Sequence, residues 1–71
     1  MDAVAILGLN VRKFRKLRGM TQEQLALDTE MERSYVSDLE RGTRNPSVRA
    51  VERLAKSLAV QPYQLLMPVE N

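Results

Sequence analysis

The sequence predicts an all-α domain of five short helices. Apolar residues recur at steps of three and four from end to end, with no run that alternates at a step of two. Each periodic segment is also bounded by residues suited to start or stop a helix. At 71 residues the chain has room for one small core, so a single domain over 1–71 is expected.

Leu7, Val11, Phe14 and Leu17 or Arg18 place the first helix at about 3–18. Gly19 suits the left-handed conformation that closes a helix, because it has no Cβ to clash. Thr21 is a good N-cap, and Gln24 three residues on completes a Thr-x-x-Gln capping box. The second helix then covers about 22–28 with Leu25 and Ala26 inward, and Thr29 to Glu32 form a turn. A third helix begins at Glu32 or Arg33, buries Val36 and Leu39, and reaches about Arg41 before Gly42. Thr43-Arg44-Asn45-Pro46 is a polar loop whose proline cannot continue a helix. Ser47 caps a fourth helix with Val48, Val51, Leu54, Ala55 and Leu58 as its apolar positions. Pro62 suits the first position of a short fifth helix carrying Tyr63, Leu65 and Leu66, and Pro68 ends it.

Composition removes whole classes of chemistry. There is no cysteine and no histidine, which excludes disulfides, thiolate nucleophiles, histidine bases and Cys/His zinc sites. No glycine-rich phosphate loop and no carboxylate pair suited to a cleft stand out, so no catalysis, metal, cofactor or small-molecule ligand is expected. No signal peptide opens the chain and no apolar run nears the roughly 18 residues of a membrane span. A cytoplasmic location with no membrane partner is the expectation.

The net charge of +2 is small, but its distribution is uneven. Arg12, Lys13, Arg15, Lys16 and Arg18 fall together with no acid among them, and Arg41, Arg44, Arg49 and Arg53 face the single acid Glu52. The acids gather at Glu23, Asp28, Glu30, Glu32, Asp38 and Glu40. Such segregation suits a face turned to phosphates, and equally a solvated helical surface. The third helix adds a sharper signal. It buries Val36 and Leu39 while Arg33, Ser34, Ser37 and Asp38 point outward, a row of hydrogen-bonding side chains suited to base edges in a DNA major groove.

Thr-Gln-x-x-Leu-Ala at 21–26, Ser-Tyr-Val-Ser-x-Leu-Glu-Arg-Gly at 34–42 and Asn-Pro-Ser at 45–47 resemble the Cro/phage-repressor-like (Xre) helix-turn-helix family. The resemblance spans about Leu7 to Leu66. It implies a five-helix repressor-like domain with the helix-turn-helix at about 21–41, binding operator DNA as a symmetric homodimer. The Glu-Arg-Ser-Tyr-Val-Ser stretch at 32–37 is also similar to controller proteins of bacterial restriction-modification systems. The function expected is therefore a sequence-specific transcriptional regulator on an inverted-repeat operator, controlling its own and restriction-modification genes. The alternative is an antitoxin-type or prophage regulator whose main ligand is another protein. Two positions depart from the family pattern: Glu30 stands where the turn usually has glycine, and Glu32 where the third helix usually has a Ser or Thr cap.

Specific roles follow, each with a plainer competitor. Gln22 at a helix N-terminus suits a phosphate contact or simple exposure, with Thr21 beside it acting mainly as the cap. Arg33 can donate twice to a guanine, with Ser34 alongside, or be neutralised by Glu32 or Glu30. Ser37 and Asp38 lie one turn on; Asp38 either accepts from a cytosine or adenine amino group or holds Arg33 or Arg41. Tyr35 offers its hydroxyl to a phosphate or packs against the domain. Arg41, Arg44 and Asn45 would clamp the backbone or form a solvated loop. Arg15 and Glu40 resemble the family's structural ion pair. Tyr63, Leu66, Met67 and Val69 make the C-terminal end unusually apolar and suit a dimer interface, with Leu9 and Leu17 as further candidates.

Overall fold

The computed structural model describes residues 2–69; Met1, Glu70 and Asn71, which the expected domain includes, lie outside the described residues. Four α-helices run in order: α1 (Ala3–Leu17), α2 (Gln22–Thr29), α3 (Arg33–Arg41) and α4 (Val48–Leu58). A 3₁₀ helix follows at Pro62–Leu66. The fifth helix is thus one tight turn and not an α-helix. Between Pro62 and Pro68 there is space for little more than a single turn, which closes through the bond from Gln64 N–H to the Gln61 carbonyl at 3.0 Å.

Polar side chains set the starts. The Asp2 carboxylate accepts from the N–H groups of Val4 and Ala5 at 3.0 and 3.3 Å. Thr21 Oγ1 accepts from the Gln24 N–H while Gln24 Oε1 accepts from the Thr21 N–H, a reciprocal capping box. Ser47 accepts from the Ala50 N–H. Glu32 gives α3 no side-chain cap. The four ends share one device, a left-handed residue followed by a bond back around the last turn. The bonds are Met20 to Arg15, Met31 to Ala26, Thr43 to Asp38 and Val60 to Ala55, at 2.8–3.0 Å. Gly19 and Gly42 take the left-handed position after α1 and α3, but Glu30 and Ala59 take it after α2 and α4, both at φ 59°. Helix α2 also runs one residue further than expected, to Thr29, whose hydroxyl donates to the Leu25 carbonyl at 2.7 Å.

Every element contributes to one core: Leu7 and Val11, Leu25 and Ala26, Val36 and Leu39, then Leu54, Ala55, Leu58 and Leu65. Burying each of the leucines contributes about 1.5–3 kcal/mol. Val48, expected among the inward positions of α4, is instead 86% exposed in that helix's first turn. Leu17 is likewise exposed, and Arg18 beside it donates through Nε to the Leu58 carbonyl at 2.8 Å, tying α1 to the end of α4. Helices α1 and α3 pack very closely at Gly8, where an added Cβ would lie 2.2 Å from the Leu39 carbonyl oxygen. Asn10, buried in α1, donates to the carbonyls of Leu65 and Met67 at 2.9 and 2.7 Å and fixes the C-terminal segment.

Candidate nucleic-acid interface

The amphipathic pattern of α3 determines which side chains reach solvent. Val36 and Leu39 are fully buried, so Arg33 and Ser34 are exposed and Ser37 and Asp38 half-buried on the opposite face. Arg33 stands at the start of the helix and lines a shallow cleft with Arg15 of α1 and with Thr21, Gln22 and Glu23 at the start of α2. Two helix N-termini therefore open on the same recess, one presenting an arginine and the other free N–H groups. Glu30 does not compete for Arg33, since it lies 3.6 Å from Arg53 on α4.

Beneath this recess lies a nearly buried ionic network. Arg15 Nε donates to Glu40 Oε2 at 2.6 Å and Arg15 Nη2 to Glu40 Oε1 at 3.0 Å. Arg15 Nη1 also donates to the Met20 carbonyl at 2.8 Å. The two side chains are only 11% and 5% exposed, so most of the water that would otherwise solvate them is excluded. Gln22 joins through Nε2, which donates to Glu40 Oε1 at 3.1 Å. One carboxylate thus links α1, the segment before α2, the first turn of α2 and the last turn of α3.

A second cluster borders the other end of α3. Asp38 forms ion pairs with Arg41 and, at 3.5 Å, with Arg44. The Arg44 guanidinium lies over the Tyr35 ring, 4.8 Å from its centroid. Thr43 Oγ1 donates to the Asp38 carbonyl at 3.2 Å, and Asn45 is exposed on the following loop. Asp38 is thus held by arginines of the helix end and loop, while Arg33 forms no ion pair among the described residues.

A family model described as Helix-turn-helix matches residues 11–65. The chain belongs to the helix-turn-helix family and is a DNA-binding transcriptional regulator. The control protein C.BamHI from Bacillus amyloliquefaciens is 45% identical over 62 residues, covering 86% of this chain and 76% of that relative. The crystal structure of the restriction-modification controller protein C.AhdI from Aeromonas hydrophila matches with a TM-score of 0.84 at 37% identity. That match covers 87% of this chain and 94% of the other. The biofilm master regulator SinR, solved in complex with DNA, matches with a TM-score of 0.82 at 31% identity, over 86% of this chain and 98% of its own.

In this helix-turn-helix regulator, a tight turn joins α2 to α3, and Glu30 supplies the left-handed residue that reverses the chain between them. Away from that motif, Tyr63, Leu66 and Met67 are exposed and Val69 is half-buried. Leu66 borders an apolar groove with Val4, Leu7, Pro46, Val48 and Val51. The extension of this apolar surface to Val48 was not legible from the sequence, because a valine at a helical step reads as core. Nor was the Gln22–Glu40 bond, since nothing in the spacing places residue 22 beside residue 40. No helix among the described residues is long and apolar enough to cross a membrane.

Proposed function

We propose that the protein binds an inverted-repeat operator in double-stranded DNA as a homodimer, with α3 in the major groove of each half-site. The observation that carries this is the outer face of α3, polar throughout and led by an arginine that no neighbouring acid neutralises. Arg33, Ser34 and Ser37 would read base edges. The start of α2 at Thr21 and Gln22, the Tyr35 hydroxyl, and Arg41, Arg44 and Asn45 would hold phosphates on either side of the groove.

Doubling follows from the information one helix can read. A single α3 reaches a few base pairs, too few to select a site among ~10⁶ or more competitors in a genome. Two-fold pairing would place the second α3 about 34–36 Å away, one turn along the duplex. The exposed Tyr63, Leu66 and Met67 are the apolar surface that would join the copies. The similarity to C.AhdI supports a role in controlling its own gene together with restriction-modification genes.

Footprinting on the DNA upstream of the gene tests the whole reading. Two protected half-sites about one helical turn apart are expected. A single protected half-site would argue against the dimer, and no protection above that on random DNA would argue against this operator.

A further inference from the structure

We propose that Asp38 restrains Arg41 and Arg44 in the free protein and so limits its affinity for DNA of any sequence. This rests on the reading of α3 and the following loop as the surface turned to DNA.

The geometry resembles that of a bound phosphate. Asp38 Oδ1 pairs with Arg41 and Asp38 Oδ2 lies 3.5 Å from Arg44, so each carboxylate oxygen faces a different guanidinium. The two arginine side chains remain 65% and 48% exposed, accessible to a competing anion. A DNA phosphate would take the place the carboxylate occupies, at the cost of weakening both pairs. That cost is the same for every base sequence, because phosphates carry no base identity.

Asp38 could instead help binding by holding the arginines ready. The structure argues against this for Arg44, which the Tyr35 ring also holds from below at 4.8 Å. Removing the carboxylate charge leaves that stack in place and removes a negative charge from a surface facing phosphates. The local balance around these three side chains moves from +1, two arginines against one aspartate, to +2.

The test is Asp38→Asn, read by fluorescence anisotropy on a short random-sequence duplex over a series of salt concentrations. Binding about three- to tenfold tighter at ~100 mM salt is expected, with a steeper salt dependence. Asp38→Glu keeps the charge and should not reproduce the gain. Glu52→Gln removes the same charge from α4, where Glu52 lies 3.8 Å from Arg49, and should change little. Unchanged or weaker binding by Asp38→Asn overturns the proposal, as does an equal gain from Glu52→Gln. The double variant Arg41→Ala with Arg44→Ala separates the two levels. If it binds random DNA as well as the parent, the assigned DNA surface is wrong and the restraint falls with it. If it binds weakly while Asp38→Asn binds no tighter, the surface stands and only the restraint fails.

Discussion

Gln22 and Glu40, eighteen positions apart, are joined by a 3.1 Å hydrogen bond from the glutamine amide to a carboxylate oxygen that Arg15 also holds. The amide nitrogen has two hydrogens. With one committed to Glu40, the other has a fixed direction at the start of α2, and a side chain that would otherwise sample many rotamers is placed in advance. A structural ion pair therefore also orients a proposed phosphate donor.

Truncation of Glu40 should accordingly be severe. Glu40→Ala leaves Arg15 nearly buried with the Met20 carbonyl as its remaining partner, a loss of about 3–5 kcal/mol. For a domain of this size that lowers the melting temperature by roughly 12 °C or more. Asp38→Ala breaks half-exposed pairs and should cost less than about 1 kcal/mol. Thermal melts of the two variants that coincide would refute the pairing as a main support of the fold.

Gln22→Ala and Arg33→Ala should differ in kind. Loss of the Gln22 phosphate contact weakens binding to every sequence alike and leaves the salt dependence nearly unchanged, because a neutral amide displaces no counterion. Loss of a base contact costs about 1–3 kcal/mol on the operator and much less on random DNA. Titrating both variants against both duplexes checks the assignment. Equal losses on the two duplexes for Arg33→Ala would make Arg33 a phosphate contact.

Much of the helical plan was legible because it depends on local rules. The capping box at Thr21 and Gln24, the stop at Gly42 and the cap at Ser47 each need only residues three or four apart. What was hidden depends on packing across the chain. Gly8 reads as a weak point in a helix, yet its missing Cβ is what lets α1 approach the Leu39 carbonyl. Asn10 reads as a surface residue in an apolar run, yet it is buried against two carbonyls more than fifty residues away. Ala59 gives no hint of a left-handed backbone, because alanine favours continuing the helix.

The two left-handed non-glycine residues invite a stability test. Each carries a steric cost of about 1–2 kcal/mol that glycine would remove, offset by about 0.4–1 kcal/mol of added freedom in the unfolded chain. Glu30→Gly and Ala59→Gly should therefore each stabilise the fold by about 0.5–1 kcal/mol, seen as a higher denaturation midpoint with an unchanged slope. Glu30→Gly also gives up the 3.6 Å contact with Arg53, a weak exposed pair, so its gain should be the smaller. Destabilisation by Ala59→Gly would mean that its methyl group packs usefully enough to outweigh the strain.

The dimer prediction depends on a surface that is exposed and yet held in place. Leu65 is fully buried and anchors the 3₁₀ helix, while its neighbours Leu66 and Met67 are about half exposed. The Asn10 amide grips the carbonyls on either side of Leu66, so this apolar face is set before any partner arrives and little ordering entropy is lost on pairing. Leu66→Asp or Met67→Asp places a charge on that face without touching Leu65 or Asn10, so the fold should survive. Sedimentation should then show monomers, helical content should match the parent, and operator affinity should fall sharply while binding to random DNA changes less. If both variants remain dimeric, the copies meet elsewhere, and Leu9 and Leu17, exposed along α1, become the residues to substitute next.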